Sequence, residues 1–489
     1  MTLSVFETNR DAVRFDRIDD VIVVGMGGAG VCAALEAAHS GASVLLLERA
    51  SGGGGSTALA GGYIYLGGGT SLQRANGFED SAGTMYDYLL STTPVPDHAK
   101  LHAYCDGSTA HFDWLKAHGV LFNERYYGSK HFEHPTQDSL AWTGNEKVWP
   151  YDRIAAPHPR GHRADAPAGT GGAALMAALT SHAEAEDAIT VSHDERATTL
   201  IVNPDGRVCG VQSVQFGVTR SYGARRGVIL TTGGYGMNPA LLDRFCPDLR
   251  RPGIEIIGTP HSDGTGLEMG LAAGADIQFP QALFVTSPVY PPASLLEGVL
   301  VNSQGQRFVA EDSYHGRTTA AMLRQPGQKV WLICDVESFD RPIMGQDLVD
   351  AWDDVGEMER DLGLPSGSLV ATIDRYNSDA AQGVDSLFHK ARDYLRPIDK
   401  PPYAAIDCSL GKAPYLGFTL GGLRTDVDGR VLRPDGGPIA GLYAAGAVAA
   451  NIAAAQGLDN YASGTCIGES TFFGRRCGRS AADAIPCDF

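Results

Sequence analysis

Nothing in this sequence groups its cysteines. The nine are scattered over 489 residues without one Cys-x-x-Cys pair, so neither a disulfide framework nor a zinc site is expected, and a reducing cytoplasm suits the chain. Long apolar runs are missing too. No stretch approaches the roughly 18 residues of a membrane-crossing helix. The opening residues, MTLSVFETNRDAVRFDRIDD, have neither the basic start nor the apolar centre of a secretory leader. Positive charge is scarce. A formal net charge of -18 at pH 7 argues against nucleic acid or an anionic membrane surface as a partner. A neutral, apolar ligand stays open.

Glycine is abundant. There are 61, about 12% of the chain against a typical value of about 7%. Many cluster, as in GMGGAG, GGGG, LGGG and TTGG. Such clusters let backbone pass close to a ligand, often a phosphate-bearing cofactor.

The strongest local pattern is DVIVVGMGGAGVCAALEAAHSGASVLLLE, residues 20–48. Val21–Val24 reads as a buried parallel strand. Gly25, Gly27 and Gly30 then form Gly-x-Gly-x-x-Gly at the start of a helical pattern, with Gly28 and Ala29 inside the turn. Val44–Leu47 is a second strand, closed by Glu48. A fingerprint flanked by two strands and an acid at this distance predicts a dinucleotide-binding βαβ unit. Gly25 allows the tight turn, Gly27 lets backbone approach a pyrophosphate, and Gly30 lets helix and strand pack. Glu48 is placed to accept from a ribose hydroxyl. Farther on, residues 188–230 alternate apolar and polar around Pro-Asp-Gly and predict an antiparallel sheet inserted in the nucleotide-binding core.

Three more segments, RASGGGGSTALAGGYIY (Arg49–Tyr65), RRGVILTTGGYGMNP (Arg225–Pro239) and PIAGLYAAGAVAA (Pro438–Ala450), complete a pattern. Together with the fingerprint they resemble the flavoprotein superfamily of fumarate reductase and succinate dehydrogenase, and its 3-ketosteroid dehydrogenase branch in particular. The resemblance implies an α/β fold: a Rossmann-like FAD-binding domain at 1–277 and 419–489, and an α+β substrate-capping domain at 278–418. It implies FAD contacts from the turn residues Gly25 to Gly30, from Glu48 and Arg49, from Ser56, Thr57, Gly61 and Gly62, from Thr232 and Gly233, from Asp263 in a helix-starting HSDGTG, from Gly446, and from Gly464, Thr465 and Ile467. The diphosphate loop holds no histidine, so the FAD is expected to be non-covalent. The position after Gly446, often acidic in the family, is Ala447, which removes one ribityl contact.

The stretch DIQFPQALFV, residues 276–285, lacks the histidine and arginine by which fumarate-type relatives hold two carboxylates. His134–Thr136 reads HPT but lies far upstream and is taken as chance. Two other segments, NSQGQRFVAEDSYHG (Asn302–Gly316) and DNYASGTCIGES (from Asp459), resemble family motifs that present tyrosines to a steroid. In the second, Tyr-Ala-Ser-Gly-Thr replaces the Tyr-Pro-Gly-Pro-Gly usual in Δ1-dehydrogenases and is closer to the Δ4-(5α) type. The resemblance then implies Tyr461 as the base at steroid C4, Tyr314 tuning it, and Ser463 relaying the proton or holding the turn. The two tyrosine roles are interchangeable at this stage. Hydride from C5 would go to flavin N5. Backbone around Ser463–Thr465 would serve the C3 carbonyl, the flavin O2, or both. An external electron acceptor is implied.

Plainer readings stand beside these. Tyr314 sits among polar residues, and its plainer reading is a surface tyrosine. The plainer reading of Tyr461 is packing against the isoalloxazine rim. Ser463 before a helix is commonly an N-cap. Tyr63, Tyr65, Tyr235 and above all Tyr415 are pocket-wall candidates. His158 and His162 lie four apart, but Pro157 and Pro159 forbid the helix a metal pair would need. A Δ1-dehydrogenase, a fumarate-type reductase and a flavin carrier without its own substrate are the alternatives.

Overall fold

The computed structural model of the protein describes residues 6–7 and 13–487, and at 6, 7, 459 and 460 the backbone only. The leader reading of the first residues thus lies partly outside the described residues. The fingerprint strand Arg17–Val24 pairs in parallel with Val44–Leu47 on one side and with Val218–Leu230 on the other. Ile189–Ser192 extends the parallel sheet past Val44–Leu47. Val21, Ile22 and Val23 are wholly buried, as a strand covered on both faces must be.

The 13-residue strand Val218–Leu230 divides its outer edge. Val218–Gly223 runs antiparallel to Val208–Gln215, which itself pairs antiparallel with Glu195–Val202. Its far end, Val228–Leu230, runs parallel to Pro438–Ala444. The expected inserted sheet is therefore not separate. The hairpin is a continuation of the nucleotide-binding sheet, because one long strand serves both.

The helix Gly28–His39 follows the fingerprint and buries every residue but its last. One side of it is covered by the helix Thr465–Ala482 from the far end of the described chain. A Cβ at Gly474 or Gly478 would run into the backbone of Ala29 or Ala33. Small residues on both helices thus set a close crossing.

Four antiparallel strands form a second sheet in the order Val299–Asn302, Val330–Cys334, Tyr403–Asp407, Asp347–Trp352. Its core of Val299, Val301, Ile333, Met358, Leu369, Ile373 and Tyr376 is covered by two helices. The sequence pattern predicts one helix over Val355–Tyr376. The structure has Val355–Asp361 and Ser368–Ala381 instead. Gly363 and Gly367 both take positive φ, with Pro365 between them, and no helix continues through that run. Beside this sheet lies a buried charge cluster. Arg307 meets Glu311 at 2.7 Å and Asp385 at 3.0 Å, and Lys390 meets Glu311 at 3.4 Å.

Between the two sheets, Tyr415–Thr419 pairs antiparallel with Leu283–Thr286 and parallel with Ile254–Ile256. This short sheet carries Phe284 and Phe418 of the site.

Candidate active site

The fingerprint turn is a cradle of bare backbone. Gly25 has φ +105°, and a Cβ there would sit 2.5 Å from Thr231 O. A Cβ at Gly27 would meet only Gly54 O, at 4.0 Å. One strained glycine thus folds the turn and the next leaves its backbone open to a ligand. The short helix Gly55–Leu59 lies across the turn, with Gly54 N donating to Met26 O at 2.8 Å. Thr57 Oγ1 accepts from Gly28 N at 3.4 Å, and Ser56 Oγ from Thr259 N at 3.0 Å. Gly61 and Gly62 follow, Gly62 against the backbone of Gly171 and Gly172. Thr232 Oγ1 is buried without a partner beside Gly266, and Gly233 adjoins the Ser262 hydroxyl. Gly446 lies against Ala29. An orphaned hydroxyl and a glycine cradle at a helix start fit a dinucleotide diphosphate.

Three expected contacts are already engaged. Glu48 accepts from Met26 N at 2.7 Å and from Ala50 N at 2.8 Å, so its carboxylate first of all fixes the turn. Arg49 and Asp263 pair with each other at 2.8 Å. Asp263 also accepts from Thr265 N and Oγ1 at 3.1 and 2.7 Å and pairs with Arg196 at 3.3 Å. Arg49 and Asp263, both expected at the cofactor, close their charges on one another and brace the start of the helix Thr265–Ala272.

Tyr461, Tyr314 and Ser463 come together. Tyr461 and Tyr314 are each about 5% exposed, and their ring centroids lie 6.3 Å apart. The surface reading of Tyr314 is therefore excluded. The Ser463 hydroxyl is the group that most favours a charged Tyr314 phenol. Cys466 N, in the first turn of the helix Thr465–Ala482, donates to Tyr461 Oη at 3.4 Å. Burial pushes both phenols well above their ordinary range. The neighbouring Cys466 and Tyr314 groups push Tyr461 further up, while the Ser463 hydroxyl pulls Tyr314 back.

Ser463 is not the N-cap. Gly464 is, at φ +91°, with no side-chain cap. A Cβ at Gly464 would lie 2.8 Å from Tyr63 O, so only glycine fits and the serine hydroxyl is left for Tyr314. The donors expected over Ser463–Thr465 are also narrowed. Ser463 N is used by Thr143 O and Thr465 N by Ala462 O, which leaves Gly464 N. Ile467 packs its side chain on the core behind the helix.

Tyr461 follows a helix where the sequence suggests only a loop. Ile452–Asn460 is helical with a break at Gly457, φ 68° and ψ -172°. Its start is held by Glu469, whose carboxylate accepts from Ile452 N at 2.7 Å and Ala453 N at 3.1 Å. Tyr314 stands at the start of the helix His315–Leu323 and donates its N–H to Asn145 Oδ1 at 2.8 Å.

The surrounding cage is apolar: Phe284, Leu420, Ala450, Ala453 and Ala454, with Phe418 and Phe279 at its margin. Phe284 lies 4.5 Å from Tyr461 between ring centroids, and Phe418 6.2 Å. Tyr415, the preferred wall candidate, is not in it. Its hydroxyl donates to Cys408 O at 2.7 Å in the other core. Strand alternation turns Phe418, three residues on, into the cage instead. Tyr235 is spent on Pro280 O. Tyr63 packs on His131 and His134, so the HPT histidine lines this region without belonging to the tyrosine cage. His162 bonds Thr70 Oγ1 at 2.8 Å, and among the described residues no side-chain cluster fits a metal.

Fold, cradle and cage together define an FAD-binding oxidoreductase. The FAD binding domain family matches residues 20–463, and FAD is the cofactor. The chain belongs to the 3-ketosteroid dehydrogenase family. A structure of 3-ketosteroid-Δ4-(5α)-dehydrogenase from Rhodococcus jostii RHA1, in complex with 4-androstene-3,17-dione, superposes with a TM-score of 0.90 at 40% identity, over 98% of this chain and 99% of that one. The 3-oxo-5-alpha-steroid 4-dehydrogenase of Comamonas testosteroni is 28% identical over 89% of this chain and 94% of its own length. The NADH:acrylate oxidoreductase of Vibrio harveyi is also 28% identical, and the chain spans half of that protein's length.

Proposed function

We propose that the protein oxidises 5α-reduced 3-ketosteroids, placing a double bond between C4 and C5. The observation that carries this is the pair of buried phenols and Ser463 at the first turn of Thr465–Ala482, inside a cage without polar walls on its Phe284–Ala454 side. Residues 278–418 serve as the substrate-capping domain over a cofactor domain made of 1–277 and 419–489, and the four-stranded sheet lying wholly within the cap supports that division.

The cage excludes water and takes the steroid rings. Gly464 N polarises the C3 carbonyl, which acidifies the α hydrogen at C4. Tyr461 receives that proton. The Cys466 N–H steadies the charge that develops on its oxygen. FAD, when bound, supplies the acceptor for the hydride that leaves C5. Its hold is non-covalent, since the loop Gly52–Gly62 offers no histidine. The reduced enzyme passes its electrons to an external acceptor. Nine free thiols support a cytoplasmic setting.

The test is anaerobic flavin reduction. A 5α-3-ketosteroid is expected to bleach the flavin absorbance, and its 4-ene product is expected to leave it unchanged. Bleaching by the 4-ene compound alone would instead mark a Δ1-dehydrogenase. Bleaching by neither, with dithionite still effective, would overturn the reading.

A further inference from the structure

Both phenols of the centre are enclosed, and enclosure disfavours a standing phenolate. A proton taken from C4 therefore has to travel past Tyr461 and Tyr314 to a group that can keep it. Outward from Ser463 the chain meets the turn Thr143–Glu146. Thr143 O accepts from Ser463 N at 2.9 Å, and Asn145 Oδ1 accepts from Tyr314 N at 2.8 Å. The turn thus grips both residues by their backbones. At its end stands Glu146, 1% exposed. Its carboxylate accepts from Gly144 N at 2.8 Å and from the Thr143 hydroxyl at 3.4 Å. Asn145 Nδ2, Asp312 Oδ1 and Ser313 Oγ, beside this turn and beside Tyr314, are buried polar atoms without a protein partner.

We propose that Glu146 is the acceptor at which the C4 proton comes to rest, reached from the phenol and serine centre across the turn that holds Tyr314 and Ser463, with the Thr143 hydroxyl, bonded to the carboxylate, as the last donor. The proposal rests on the dehydrogenase reading above. The C4–H bond breaks, and its electron pair becomes the new C4–C5 π bond. The C5 hydrogen departs with its own electron pair, as that reaction requires. Each hydroxyl of the relay gives up one proton and gains one, and the sum is a protonated Glu146.

The groups facing Glu146 set its behaviour. Arg160 is closest in effect, but its guanidinium is bidentate to Asp80 at 2.8 and 2.9 Å. Lys130 and Lys147 add positive charge, and Tyr65, Tyr88 and Tyr314 are the phenols in range. Burial holds the Glu146 carboxyl above the usual carboxylate range, with Arg160 the largest opposing influence. The rate of flavin reduction therefore has an acidic limb. As pH falls through the Glu146 value, the acceptor is already protonated and the relay cannot deliver.

The experiment compares wild type with Glu146→Gln by stopped-flow flavin reduction across pH, with a 5α-3-ketosteroid. The glutamine keeps the shape and an oxygen for Gly144 N but cannot take the proton. The expected result is intact FAD binding, an unchanged substrate dissociation constant, at least a tenfold slower reduction step and a flattened acidic limb. An unchanged rate and an unmoved limb overturn the proposal. If the glutamine variant loses FAD, Glu146→Asp carries the test: its limb has to shift, and an unmoved limb again overturns it. Failure of wild type to be reduced at all counts against the dehydrogenase reading instead.

Discussion

At the residue scale the centre works by position more than by intrinsic reactivity. Tyrosine titrates near pH 10 in water, and burial moves Tyr461 and Tyr314 further up. Proton removal must then be coupled to hydrogen bonds formed as charge develops. Tyr461→Phe is expected to keep FAD and lose about 10²- to 10⁴-fold in turnover, the usual worth of a general base; retained turnover in a steady-state assay would displace Tyr461 from that role. Ser463→Ala takes a hydroxyl out of the route to Glu146, so at least roughly tenfold slower flavin reduction is expected, as for Glu146→Gln, read in single turnover. These three residues were legible in the sequence because each sits in a short motif of the family. Asn145 and Glu146 were not. They reach Tyr314 and Ser463 only across the fold, and a Thr-Gly-Asn-Glu run carries no local signal of that. Phe418 was displaced from attention by Tyr415 for a related reason: strand alternation decides which of two nearby aromatics faces the cage, and register is a tertiary fact.

At the element scale, glycines decide where the reactive groups point. The break at Gly457 turns the helix Ile452–Asn460 so that Tyr461 emerges under Phe284. Its φ of 68° with ψ of -172° belongs to glycine almost alone, and no atom lies within 4 Å of an added Cβ. Gly457→Ala is therefore a strain of about 1–3 kcal/mol with no clash. The expected outcome is full FAD content with reduced turnover, measured by flavin absorbance beside activity; unchanged kinetics would mean that the break does not orient Tyr461. The βαβ unit was readable from the chain because strand, turn and helix all carry local signals there. The helix predicted through Val355–Tyr376 failed for want of weight on Gly363, Pro365 and Gly367. The hairpin at 195–230 was read correctly as antiparallel, but which sheet it joins depends on a pairing between strands remote in sequence.

At the scale of the whole molecule, buried charge is concentrated beside the four-stranded sheet. Arg307 holds Glu311 and Asp385 below their usual carboxylate values against the opposing effect of burial, and Lys390 assists at Glu311. A carboxylate with a depressed folded-state value adds stability above its unfolded value, near 4.5 for Glu and 3.8 for Asp, and loses it as pH falls through the folded one. The region around the four-stranded sheet is thus expected to loosen in acid, below about pH 4. Limited proteolysis across pH, with cleavage sites mapped to residues 278–418, checks this. Arg307→Met leaves buried Asp385 without its ion-pair partner and Glu311 with Lys390 alone, and is expected to cost about 3–5 kcal/mol in denaturant unfolding.

The crossing of Gly28–His39 by Thr465–Ala482 has a consequence in time. During synthesis the fingerprint helix leaves the ribosome more than 400 residues ahead of its glycine-matched cover. Until then one apolar flank of that helix is bare, the strand Pro438–Ala444 is missing from the sheet, and neither Tyr461 nor Gly464 exists. Co-translational folding from the N-terminus cannot finish this domain before Thr465–Ala482 has emerged, and FAD loading waits on that helix. A nascent chain arrested before Thr465 is a client for chaperones, not a slow enzyme.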